Sequence, residues 1–152
     1  MSDGVAAGMR EDASGTLLVD LLEGEGYDVE HRVVPDDLAE IAGAIRDLSE
    51  RTQLILTTGG TGVAPRDNTP EATEQVLDRH VPGIAEALRA DARSKTPHGL
   101  LGRGVSGIRG RTLVVNLPGS PGGCRDGFQL LQPALQHALE LVAGETSEHR
   151  AT

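Results

Sequence analysis

Two glycine-rich turns carry most of the chemistry that this chain is equipped to do. The first, Thr57-Thr58-Gly59-Gly60-Thr61-Gly62, directly follows an apolar run. Successive glycines let a backbone bend until several N–H groups converge on one anion, and the threonine hydroxyls add donors. The second, Leu117-Pro118-Gly119-Ser120-Pro121-Gly122-Gly123, also leaves an apolar run and leads into a helical pattern. A helix N-terminus there favours negative charge. Neither turn matches the P-loop or the dinucleotide fingerprint, and each alone is compatible with an ordinary strand-to-helix connection. Between them, Arg66-Asp67-Asn68-Thr69-Pro70-Glu71 supplies carboxylates just beyond the first turn. Asp67, with Asp36 on an earlier loop, is of the type that holds a hard cation against phosphate oxygens. A solvated helix cap accounts for Asp36 equally well; at Asp67 it does not, because Thr69 takes the capping position.

Other reactive side chains form no pattern. His31, His80, His98, His137 and His149 lack metal-ligand spacing, and no serine sits in a nucleophile elbow. Cys124, at the start of the last helical pattern, reads as a buried structural thiol rather than an activated one.

The elements that must position these loops follow from periodicity and punctuation. Residues 1–13 read as loop. Ser14 is the expected N-cap of a helix to about Glu25, with Leu17, Leu18, Leu21 and Leu22 on one face. Residues 29–34 read as a short strand. Asp36 or Asp37 then caps a helix carrying Leu38, Ile41, Ala42, Ile45 and Leu48. The run at 53–58 (QLILTT) has the continuous apolar character of a strand covered on both faces. A helix follows at Thr69-Pro70-Glu71, another spans 84–93, and strands at 102–108 and 111–117 meet around Arg109-Gly110. The last helix carries Phe128, Leu131, Leu135, Leu139 and Val142, with Pro133 as a kink point. Alternating helices and apolar strands predict an α/β fold: a doubly wound, mostly parallel sheet with helices on both faces and a small β-hairpin. Its ligands would sit beyond the carboxyl ends of the strands.

The 152 residues fit one domain, and 38% hydrophobic content is that of a globular chain. A net charge of −9, one Tyr, one Phe and no Trp leave neither phosphate neutralisation nor base stacking, which excludes nucleic-acid binding. The same charge disfavours anionic membranes, and apolar runs such as 112–117 are too short to span one. A lone cysteine and no basic-then-apolar leader fit a cytoplasmic location.

TTGGTG, followed by RDNTPEAT and later by IRG…LVVNLPGSPGG, resembles the MogA/MoaB family of molybdenum cofactor biosynthesis proteins, a pattern shared by the gephyrin G domain. The opening SDGVAAGMREDASG is similar too, so the likeness covers Ser2 to about Gly144. It makes 1–144 a single molybdopterin-binding domain and 145–152 a flexible tail. The resemblance implies molybdopterin as ligand, adenylylated with ATP and Mg2+ and releasing pyrophosphate, and a homotrimer or hexamer. It implies that Asp67 and Asp36 are the acidic, magnesium-holding pair. The anion turn would comprise Thr58, Gly59, Gly60, Thr61 and Gly62, with Thr69, Ser2, Asp3, Pro118, Gly119 and Ser120 on the rim. A non-catalytic pterin-binding or scaffold protein of the MoaB branch is the alternative, as is a nucleotide-binding, hydrolase-like domain of the wider superfamily. Gly102 and Gly122 replace a serine and a lysine common in the family, removing two phosphate donors. Family members also open with an apolar strand before the Ser-Asp pair. Only Met1 precedes it here, which leads to the expectation that the natural start lies upstream or that another segment fills the slot.

Overall fold

In the computed structural model, which describes residues 12–144, the leucine pattern forms helix α1 (Ala13–Gly24). Its N-cap is Asp12 rather than Ser14: Asp12 Oδ1 accepts the Gly15 N–H at 3.0 Å, while Ser14 lies buried within the helix. A carboxylate gains both the hydrogen bond and the favourable end of the helix dipole, so it displaces the hydroxyl as cap. Helix α2 (Leu38–Ser49) is capped by Asp37, whose Oδ1 accepts from the Glu40 N–H at 3.0 Å.

The QLILTT run becomes β1 (Leu54–Thr58). Helix α3 (Thr69–Glu74) follows, but its cap is Asn68; Thr69 is its first residue, with Pro70 next. A two-residue strand β2 (Arg79–His80), which the sequence pattern does not signal, precedes α4 (Pro82–Lys95) and a 3-10 helix, Pro97–Leu101. Strands β3 (Ser106–Arg109) and β4 (Thr112–Leu117) form the expected hairpin, with Gly110 at φ +57° in its turn. Helix α5 (Pro121–Val142) starts three residues earlier than the glycines suggest. Ser120 caps it, its Oγ accepting the Gly123 N–H at 3.1 Å, and it continues through Pro133 as one element.

The described strands make one sheet in the order β1-β4-β3-β2. The β1–β4 pairing is parallel, from Leu54↔Leu113 to Thr58↔Leu117, and the hairpin and β2 add antiparallel rungs. All six residues of the central strand β4 are buried. Side chains alternate across a strand, so Leu113, Val115 and Leu117 enter the core with α1 and α5, while Val114 enters the core with α2 and α3. Helices therefore cover both faces, as the doubly wound α/β expectation requires. Ile41, Ile45, Leu117 and Leu135 are fully buried, each worth about 1.5–3 kcal/mol. Among the described residues no helix is long and apolar enough to cross a membrane.

Residues 29–34 correct the sequence reading: among the described residues they join no ladder. Apolar alternation favours a strand, but a strand also needs a partner about 4.8 Å away. Residues 28–34 and β1 instead line a common cavity of about 820 Å³. Val34 anchors the segment in the core with Ile41, Ile45 and Ile55, and exposed ion pairs tie the rest. Arg51 grips Glu30 through Nε and Nη2 at 3.1 and 2.9 Å, and Arg32 pairs with Asp47 of α2 at 2.9 Å. Expectations about Ser2, Asp3, the opening strand and the 145–152 tail lie outside the described residues.

Candidate functional site

Because β1 and β4 are parallel neighbours, the loops leaving their carboxyl ends meet. The Gly59 N–H donates to Leu117 O at 3.3 Å, and Thr58 Oγ1 donates to Pro118 O at 2.8 Å. Thr58 thus ties the two turns together. Gly59 and Gly60 stand at φ +88° and +66°, in the left-handed region where a side chain is strained. Space is short as well. A Cβ on Gly60 would meet Thr69 Oγ1 at 2.4 Å, and one on Gly119 would meet Gly59 Cα at 3.1 Å. Thr69 lies fully buried behind Gly60, donating its N–H to Gly60 O at 3.1 Å, and its Oγ1 has no hydrogen-bond partner among the described residues.

Asp67 Oδ2 accepts the Ala64 N–H at 3.0 Å and closes the loop beyond the first turn. Asn68 Nδ2 reaches the Asp36 carbonyl at 3.5 Å, and Asp36 Oδ1 is buried. Asp36, Asp67, Thr58, Gly59, Gly60 and Gly119 all line the larger cavity. A second cavity of about 510 Å³ is lined by Thr61, Gly62, Pro118 and Ser120, again with Gly60, Asp67 and Gly119. The last three form a ridge common to both. The structure therefore brings the described candidates together at one end of the sheet.

Two carboxylates suit magnesium, which binds one or two carboxylates and completes its shell with water and substrate phosphates. They do not make an all-protein cage: no cluster of three or more His, Cys, Asp or Glu ligands occurs among the described residues. At the two departures from the family pattern, Gly122 has open space around its Cα and a Cβ on Gly102 would make only an ordinary 3.6 Å contact. The missing serine and lysine are thus not excluded by crowding.

Sequence reasoning passed over two residues. Asn116 is a buried amide in an otherwise apolar strand run, and that mismatch was its signal. Its Nδ2 donates to Thr57 Oγ1 at 2.9 Å and to Thr73 Oγ1 at 3.0 Å, and its Oδ1 accepts the Val105 N–H at 3.1 Å. It locks β1, α3 and the approach to β3 around the ridge. Arg103 binds the loop after β1, and only its basic character among glycines marked it. Cys124 is fully buried, 2.9 Å from both Thr58 Oγ1 and Pro118 O. Burial pushes its thiol up, so it is packing beneath the turns and not a nucleophile.

The chain matches the family model described as a probable molybdopterin binding domain over residues 1–137. The molybdopterin biosynthesis enzyme MoaB of Thermus thermophilus superposes with a TM-score of 0.87 at 47% identity, covering 94% of this chain and 92% of that one. The molybdenum cofactor synthesis protein cinnamon of Drosophila melanogaster is 40% identical over 93% of this chain, which spans only 24% of that relative. A molybdopterin adenylyltransferase of Helicobacter pylori is 34% identical over 94% of this chain and 84% of its own length. Paired glycine turns at the ends of two parallel strands and agreement over nearly the whole chain lead to one assignment: this chain belongs to the molybdopterin-binding domain family of molybdenum cofactor biosynthesis proteins.

Proposed function

We propose that the chain adenylylates molybdopterin. The terminal phosphate oxygen of the pterin attacks the α-phosphorus of ATP, a new P–O–P linkage forms, and the bond to the bridging oxygen breaks as pyrophosphate leaves. The observation that carries this reading is the Gly60, Asp67 and Gly119 ridge shared by two cavities. A reaction that condenses two phosphate-bearing substrates needs such a common wall, with backbone donors and a carboxylate at the junction. Transfer of this kind demands little covalent work from a protein; positioning and charge neutralisation dominate. The amides of Gly60, Thr61 and Gly62 orient phosphate oxygens; the Gly59 N–H, spent on Leu117 O, fixes the turn, with Thr69, Pro118, Gly119 and Ser120 shaping the rim. Asp36 and Asp67 would hold Mg2+, which when bound offsets the negative charge developing between the phosphates. The relative named molybdopterin adenylyltransferase, matched over most of both chains, supports the same activity. A cytoplasmic homotrimer, or a hexamer of two trimers, completes the proposal.

Glycine at 102 and 122, where relatives commonly carry serine and lysine, favours the rival reading of pterin binding without transfer. Purified protein incubated with molybdopterin, ATP and MgCl2 separates the two. Adenylyl transfer yields pyrophosphate and adenylylated pterin in equal amounts; pterin binding with no pyrophosphate above the protein-free control establishes the rival.

A further inference from the structure

Arg103 is bound to four points on the loop and helix that carry Asp67. Its backbone N–H donates to Thr61 O at 2.8 Å, its Nε to Gly62 O at 2.7 Å and its Nη2 to Asp67 O at 2.8 Å, while Nη1 pairs with Glu71 of α3. The planar guanidinium fork alone allows one side chain to serve three segments, since its donors point in fixed, divergent directions. An ammonium group in the same place, with three donors on one nitrogen, would not span them.

The consequence lies in the geometry of the peptide bond. In a planar trans peptide the carbonyl and the following N–H point in opposite directions. With Thr61 O and Gly62 O turned toward Arg103, the N–H groups of Gly62 and Val63 must face away from it. Fixing Asp67 O sends the Asn68 N–H away in the same manner. Glu71, whose carboxyl the guanidinium holds below the usual carboxylate range, balances the positive charge of the clamp. We propose that Arg103 is a positioning residue for phosphate recognition: it draws the loop carbonyls to one side, so that the loop amides and the segment bearing Asp67 keep one arrangement toward substrate. The proposal rests on the adenylyl-transfer reading for its catalytic consequence, but its structural core does not.

The test compares the full-length protein with Arg103→Ala and Arg103→Lys, the lysine keeping the stem and the charge and guarding against a folding defect. Two readouts are used: amide hydrogen exchange at 59–68 in the ligand-free protein, and kcat and KM with molybdopterin, ATP and MgCl2. In both variants loop exchange is expected to accelerate by about tenfold or more while β1 and β4 stay protected. Misplacement of a bound phosphate by a fraction of an ångström to one ångström lowers kcat by about 10- to 100-fold, with KM for molybdopterin changing little. Unchanged loop exchange in Arg103→Ala overturns the proposal whatever the wild-type activity. A lysine that restores both loop protection and turnover also overturns it, because charge alone would then suffice. If the wild type transfers no adenylyl group yet Arg103→Ala still frees the loop, the adenylyl-transfer reading fails and the positioning role stands.

Discussion

At Asp67 a single substitution separates shape from charge. Oδ2 holds the Ala64 N–H at 3.0 Å, a bond that an asparagine carbonyl can keep, whereas only a carboxylate supplies the charge a cation needs. Asp67→Asn is expected to slow adenylyl transfer more than tenfold, about 1.4 kcal/mol in barrier, with molybdopterin binding preserved. Wild-type turnover in that variant would remove Asp67 from the metal-holding role. Asn116 tests the scaffold beneath the ridge. Asn116→Leu leaves the buried Thr57 hydroxyl and the half-buried Val105 N–H without their partner, while the Thr73 hydroxyl keeps its bond to Thr69 O at 2.8 Å. Each such loss costs about 1–3 kcal/mol, about 2–6 kcal/mol for the two, so a fall in melting temperature of roughly 4–24 °C is expected by calorimetry. A shift within a degree or two would show that the network relaxes at little cost. The glycine turns were readable at this scale because left-handed backbone demands glycine, whereas the partners of Asn116 lie 11 to 59 residues away and leave no local trace.

At the scale of elements, the 28–34 segment beyond its Val34 anchor depends on ion pairs where a strand would depend on a ladder. Arg51 holds the Glu30 carboxyl below its ordinary range, and Arg32, followed by Arg51, does the same at Asp47. A carboxylate whose folded pKa is depressed binds fewer protons in the folded state. Its contribution is therefore fully present above its ordinary pKa and is lost as the pH falls through the depressed value. The segment should be protected at neutral pH and loosen below about pH 4, where both carboxylates take up protons. Because both are exposed, the effect is confined to local opening. Hydrogen exchange at 28–34 relative to β4, corrected for the intrinsic pH dependence of exchange, measures it. A ratio constant from pH 7 to pH 3 would mean that the ion pairs do not hold the segment.

Over the whole molecule, the two cavities meet at one ridge on one end of the sheet, leaving the remaining surface for association. Leu100, 67% exposed in the 3-10 helix, stands beside Leu101, which is 50% exposed at the edge of the second cavity. Neighbouring exposed leucines are the kind of surface that an oligomer covers, and a chain with two aromatic residues must build an interface from aliphatic and polar contacts. Light scattering is expected to report a trimer or a multiple of three. A monomer at micromolar concentration would overturn that state.

What the sequence determined by itself is what short-range physics controls. The leucine spacing of α1 and α2, the apolar run of β1, the Arg109-Gly110 turn and the two glycine loops each depend on backbone conformation or periodicity within a few residues. The two-faced α/β arrangement followed from their alternation. Tertiary structure decided the rest. Residues 29–34 have the composition of a strand but join no ladder among the described residues, and pairing is a property of two segments, never of one. Whether Ser14 or Asp12, Thr69 or Asn68, occupies a cap depends on where the first helical turn docks. Arg103 acquires its place from a carbonyl 41 residues away, and Thr58 from one 60 residues away. Such partners become neighbours only when β1 and β4 pair in parallel, which is why the chemistry was legible as two separate turns and the site itself only as their meeting.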